Sequence, residues 1–217
     1  MFLSVIIPTI NEEKSIGSTI KGIKSRLKKF KYEILIVDTN STDRTVAIAK
    51  SLGAKVINEP RRGYGRAYKT GFVHSKGDLV VTLDADSTYP IESIATLINV
   101  LERTGADFVS GTRKGSGMSL LHRFGNWVIT TWINILFFTK FVDSQSGMWV
   151  FRKALLKKIT LINDRWPFSG EIKIEAWKNG KFVEVPIKYR IRRGKSKVRS
   201  WKVGWENIIF YFKKRIS

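Results

Sequence analysis

The sequence predicts an α/β protein with a mostly parallel central sheet flanked by helices. Three observations carry this. Strand-like and helix-like segments alternate through the first half, the strand-like runs are short and apolar, and several end abruptly in an acid. Such alternation implies parallel strands joined by crossover helices. Uninterrupted apolar runs imply strands covered on both faces.

Ser4–Pro8 reads as the first strand. Residues 11–30 then carry apolar side chains at 16, 20, 23 and 27, the spacing of one helix face. Glu33–Asp38 is a second strand with an acid at its end, and Ser41, Thr42 and Asp43 can cap a helix running to about Leu52. Lys55–Ile57 and Leu79–Leu83 follow as strands, Ile91–Leu101 as a helix and Asp107–Ser110 as a further strand. No repeat or low-complexity tract interrupts them. One domain is therefore expected over residues 1–200, followed by an aromatic and basic amphipathic segment at 201–217.

At 217 residues and 43% hydrophobic content, the chain can bury a sizeable core, so global disorder is excluded. The absence of cysteine excludes disulfides, zinc–thiolate sites and cysteine nucleophiles. The N-terminus lacks a basic n-region and a cleavage site, so it reads as a strand rather than a signal peptide. Lys and Arg number 39 against 18 Asp and Glu, a formal net charge of +21. From Pro186 to Ser217 there are eleven Lys and Arg against the single Glu206. Such a field attracts nucleic acid, an anionic membrane or a phosphorylated substrate, and charge alone does not choose among them.

Two segments are rich in aromatics. Phe124–Thr139 is nearly free of charge but shorter than the roughly 20 apolar residues of a spanning helix. Trp201–Arg215 mixes Trp and Phe with Lys and Arg. Both suit either interfacial helices on anionic lipid or core helices packed on the sheet. No transmembrane domain is expected.

The chemistry concentrates at strand ends. Leu79–Leu83 runs directly into Asp84-Ala85-Asp86, which places two carboxylates at the carboxyl edge of the sheet, where open α/β folds bind ligands. Two carboxylates so close repel unless a cation lies between them. Mg²⁺ or Mn²⁺ suits the pair, because hard cations complete their shell with water and substrate phosphates. Glu12 and Asp38 fall at or beyond other strand ends and should converge on the same crevice. Gly63–Ala67 and Gly111–Arg113 offer backbone amides and guanidinium groups suited to a diphosphate. No P-loop and no Gly-x-Gly-x-x-Gly after the first strand is present, which argues against a dinucleotide cofactor. His74 and His122 make no triad spacing and read as structural or surface residues. Glu171 reads as a surface helix acid, with a base or acceptor contact in reserve, and Trp166 beside Pro167 could line an acceptor cleft.

An ordered set of segments points further: Ser4–Glu12, Ile36–Thr45, Leu83–Asp86, Gly111–Arg113, Asp143–Met148, Glu184–Ile187 and Arg192–Lys197. In these the chain resembles the GT-A-fold family 2 glycosyltransferases, and within them the polyprenyl (dolichyl)-phosphate sugar synthases. The resemblance implies an inverting, metal-dependent transfer of a sugar to a dolichyl or polyprenyl phosphate at a membrane surface. It implies a GDP-mannose or UDP-sugar donor. It places Pro8, Ile10, Glu12, Val37 and Asp38 against the nucleotide, and Asp84, Ala85 and Asp86 against metal and diphosphate, with Asp84 and Asp86 as the metal ligands. Asp86, Arg113, Arg192 and Lys197 are its catalytic set, the last two (or Arg193 in place of Arg192) gripping the acceptor phosphate. Two departures stand out: Thr39 follows Asp38 where the family often has a second aspartate, and Thr88 stands where mannose-transferring relatives often carry Gln. The implied partners are the donor, the lipid phosphate and an anionic membrane surface, with the protein peripheral on its cytoplasmic face. A soluble saccharide acceptor is the near alternative. Nucleic acid is not expected as a partner, because no nucleic-acid-binding motif accompanies the charge.

Overall fold

The computed structural model describes residues 1–115, 117–191 and 200–216. In chain order the first half contains β1 (Phe2–Thr9), α1 (Ile16–Arg26), β2 (Lys31–Asp38), α2 (Thr45–Ser51), β3 (Lys55–Asn58), α3 (Tyr64–His74), β4 (Leu79–Thr82) and α4 (Ser93–Thr104). The second half contains β5 (Phe108–Lys114), α5 (Leu120–Phe137), β6 (Trp149–Arg152), α6 (Phe168–Asn179), β7 (Phe182–Lys188) and α7 (Ser200–Ile216), with a 3₁₀ turn at Lys153–Lys157.

The seven strands form one sheet in the order β3-β2-β1-β4-β6-β5-β7. All neighbouring pairs are parallel except those of β6, which runs antiparallel between β4 and β5. The apolar runs are buried on both faces. In β1, Leu3, Val5 and Ile7 pack with α1 and α4, while Ile6 packs with α3 and α6 on the opposite face. In β2, Ile34 and Ile36 take the first face, and Leu35 and Val37 take the second. A third cluster joins α5, α6 and α7 through Ile133, Phe137, Ile174 and Tyr211.

Helix ends follow local chemistry. The Ser119 hydroxyl caps α5 by accepting from His122 N at 3.3 Å. α4 stops at Gly105, whose φ of 64° lies in the left-handed region that glycine adopts without strain. Two expectations change. The Gly63–Ala67 amides are not presented as a loop: Tyr64 opens α3, Arg66 N donates to Asp164 O and Ala67 N to Gly63 O. Gly111–Arg113 likewise lies on β5, with Gly111 N donating to Met148 O and Arg113 N to the Asp143 carboxylate.

The topology positions the site. The chain passes from β3 on one side of β1 to β4 on the other, so the crevice beyond their carboxyl ends is a switch point. Thr9 and Asp38 are register partners at that edge, and Thr82, paired with Ile6, leads into Leu83 and Asp84. No helix among the described residues is long and apolar enough to cross a membrane.

Candidate active site

Beyond the switch point lies a cleft of about 860 Å³. Pro8 from β1, Ile10 and Glu12 from the loop after it, Asp84, Ala85 and Asp86 from the β4 loop, and Arg113 from β5 all line it. Seven sequence-predicted residues therefore meet in one cavity. Val37 and Asp38 do not reach its lining. Val37 is core, and the Asp38 carboxylate lies beneath the wall, accepting from Thr9 Oγ1 at 2.9 Å, Ser41 N at 2.8 Å and Ser41 Oγ at 2.5 Å. Asp38 thus shapes the loop that brings Thr39 to the cleft. Arg192, Arg193 and Lys197 lie outside the described residues.

The β4 loop is held from within and from α1. Asp86 is buried, and its Oδ1 accepts from Thr88 N at 3.1 Å and Thr88 Oγ1 at 2.6 Å. Thr19 of α1 donates to Ala85 O at 3.1 Å. Between the two, Ser87 adopts φ 63°, a left-handed conformation that costs a serine on the order of 1–2 kcal/mol. Such strain persists only where the surroundings over-determine the conformation. The donor set fits a hard divalent cation. Asp84 and Asp86 supply two carboxylates, and no group of three or more His, Cys, Asp or Glu able to hold a metal occurs among the described residues. Such a cation completes its shell with water and substrate oxygens.

Tyr64, Tyr89 and Gly147 close around Asp84. Gly147 N donates to Tyr89 Oη at 2.6 Å. A β-carbon on Gly147 would collide with Tyr64 Oη and push that phenol aside, while Asp84 Oδ1, at 3.6 Å, would be in ordinary contact. Burial pushes both phenols well above their ordinary pKa, with Asp84 adding to the rise. They are hydroxyl donors, not bases. Tyr64 also stacks on Trp166 at 4.9 Å between centroids, and both rings line the cleft.

Arg113 is less available than its sequence context suggests. Nε and one terminal nitrogen donate to the two Asp143 oxygens at 2.8 Å each, and that nitrogen also donates to Asn126 Oδ1 at 3.2 Å. Its side chain is 12% exposed and its guanidinium lies 5.5 Å from the Tyr189 ring centroid. Burial alone would raise the Asp143 carboxyl. The adjacent guanidinium and its hydrogen bonds prevail, holding the carboxyl well below the usual range.

The far wall comes from α5 and α7: Leu121, Gly125 and Ile129 on one, Val203, Gly204 and Glu206 on the other. α7 is locked in place from below. Tyr211 Oη donates to Pro167 O at 2.7 Å, and Lys214 Nζ bridges Glu171 at 3.2 Å and Glu175 at 3.0 Å. Glu171 is therefore not a surface acid. It is fully buried, its second oxygen accepting from Asn163 N at 2.9 Å, and it has no place on the cleft wall. Tyr64, Tyr89, Asn126 and Gln145 line the cleft although none is a predicted site residue.

A switch-point cleft with paired carboxylates at the carboxyl edge of the sheet is where an α/β fold binds a ligand. The chain belongs to glycosyl transferase family 2, whose profile matches residues 4–160. It is similar to a dolichyl-phosphate hexose transferase of Haloferax volcanii, at 35% identity over 90% of this chain and 86% of that protein. It is also similar to a low-salt glycan biosynthesis hexosyltransferase of the same organism (34% identity) and a dolichol-phosphate mannosyltransferase of Pyrococcus furiosus (32%). It spans 52% and 60% of their respective lengths. Its fold superposes on glucosyl-3-phosphoglycerate synthase of Mycobacterium tuberculosis, solved with Mn²⁺, UDP and phosphoglyceric acid. The TM-score is 0.83 at 21% identity, covering 99% of this chain and 78% of that one.

Proposed function

We propose that the protein transfers a sugar, with inversion, from a nucleoside diphosphate to a dolichyl or polyprenyl phosphate at a membrane surface. One observation carries the reading: Asp84, Asp86 and Arg113 line a single cleft, and two helices with exposed aromatics wall it. Relatives named for dolichyl phosphate support the acceptor class.

Asp84 and Asp86 would hold Mg²⁺ or Mn²⁺, which supplies positive charge against the departing diphosphate. The chain's own residues do the rest. Thr88 and Thr19 fix the carboxylate loop. Pro8, Ile10, Glu12 and Thr39 wall the nucleotide end, and the Tyr64 and Tyr89 hydroxyls line the cleft near Asp84. Arg113, already oriented, stabilises phosphate charge as the sugar–oxygen bond breaks. Arg192 and Lys197 remain the proposed grip on the acceptor phosphate. A phosphate acceptor is already anionic, so positioning matters more than a strong base.

Membrane contact rests on the outer faces of α5 and α7. Phe124, Trp127, Trp201 and Trp205 are each more than half exposed, Lys202 follows Trp201 in the chain, and Lys213 and Arg215 stand further along α7, Arg215 over the Phe138 ring. Aromatic rings beside cations suit an anionic bilayer surface. The test is a panel of labelled GDP- and UDP-sugars with Mn²⁺ or Mg²⁺ and farnesyl phosphate. Label should enter the organic phase. Transfer to water-soluble saccharides alone would contradict the reading.

A further inference from the structure

α6 carries a lysine that is wholly enclosed. Lys173 has no exposed surface, and its Nζ donates to Asp143 O at 2.6 Å. Burying an ammonium costs several kcal/mol unless opposing charge repays it, so the position calls for a reason. The charged groups around it supply one. From β5 comes Arg113, from the loop before β6 comes Asp143, and from β7 comes Glu184. The acids on Lys173's own helix, Glu171 and Glu175, are turned to Lys214. Glu184 accepts from Val142 N at 2.7 Å and Asp143 N at 3.2 Å, so Lys173 and Glu184 grip the Asp143 backbone from its two polar sides. The Asp143 side chain then clamps Arg113.

This group of four balances two cations against two carboxylates. Remove the Lys173 charge and the floor beneath Arg113 becomes net negative, next to the place that must receive a phosphate. A phosphate would then meet repulsion where the cleft offers its guanidinium.

We propose that Lys173 is a positioning residue: it fixes the Asp143 loop and balances its charge, so that Arg113 can present its guanidinium to a phosphate group in the cleft. The proposal rests on the reading that Arg113 meets a phosphate. Burial lowers the Lys173 ammonium to about 8, Asp143 and Glu184 restoring only part of the loss. The balance should therefore fail as pH rises through that value.

The experiment follows the Arg113 Nε–H resonance in ¹⁵N-labelled full-length protein, assigned by its loss in Arg113→Lys. In the wild type its shift should titrate with a midpoint near 8. Glu184→Gln should lower that midpoint, because one stabilising carboxylate is gone. Lys173→Met should abolish the step, speed Nε–H exchange at least tenfold, and weaken farnesyl phosphate binding at least fivefold at pH 7.5. A wild-type resonance with no such step overturns the proposal without any variant. So does a Lys173→Met protein that keeps the step and the slow exchange. Failure of the wild type to bind farnesyl phosphate would strike the acceptor reading instead, and the resonance would still decide the role of Lys173.

Discussion

Arg113 and Asp143, 30 residues apart, close as a bidentate pair with both N–O distances at 2.8 Å, one at the end of β5 and the other in the loop before β6. The pair is nearly buried, so its rupture should cost far more than a surface salt bridge. Asp143→Asn should destabilise the protein by about 3 kcal/mol, read by urea unfolding, and should slow transfer by roughly two orders of magnitude. The pH dependence has a definite sign. Asp143 has a depressed folded pKa, so its contribution is fully present above the ordinary carboxylate value of 3.8 and is lost as pH falls below it. The stability gap between wild type and variant should therefore shrink in acid and stay constant from pH 5 to 7.

Gly147 is the point where Tyr64, Tyr89 and Asp84 come together. Gly147→Ala should displace the Tyr64 phenol and reduce transfer at least tenfold, the expected scale for misplacing groups at the reacting centre by about 1 Å. Nucleotide binding measured calorimetrically with Mn²⁺ should weaken in parallel. Unchanged kinetics would show that the approach of these groups is not used.

Lys214 holds α7, and with it the cleft wall, to two buried acids of α6. Lys214→Met leaves Glu171 and Glu175 facing each other without a cation. Unfolding stability should fall by about 3 kcal/mol. Hydrogen exchange should accelerate across residues 200–216 before it does in the sheet. Uniform acceleration over the whole chain would contradict a local lock.

The outer tryptophans make a separable prediction. Trp127→Ala combined with Trp201→Ala removes two rings that are 61% and 80% exposed and touch no core cluster. Unfolding temperature should change little, while sedimentation with vesicles rich in phosphatidylserine should drop several-fold. Wild-type binding should weaken as salt is raised, since basic residues near an anionic leaflet each contribute about 1 kcal/mol. Binding that ignores both lipid charge and salt would contradict the surface assignment.

The sequence made the strand ends legible because apolar runs that stop at an acid state both facts at once. Leu83-Asp84 and Val37-Asp38 have this form, and the sheet edge follows from it. It did not reveal α3, because Gly63 and Gly65 read as a loop, whereas close packing against Asn163, Asp164 and Phe168 makes small residues fit there. The roles of Glu171 and Lys173 were hidden for a related reason. From Phe168 to Ala176 every residue of α6 is buried, so charged residues that signal a solvent face in an amphipathic helix are here sealed ion partners. Arg113 read as an available cation because its neutralising acid lies far along the chain. Long-range charge pairing leaves no local pattern.

The central claim is that Asp84 and Asp86 bind a divalent cation that serves sugar transfer to a lipid phosphate. The most direct measurement is the rate at which labelled sugar enters the organic phase, taken for wild type and Asp86→Ala, before and after chelation. Chelation should abolish transfer, and added Mn²⁺ or Mg²⁺ should restore it. Asp86→Ala should be slower by roughly a thousandfold while remaining folded by circular dichroism. Wild-type rates in the chelated enzyme or in Asp86→Ala would contradict the account.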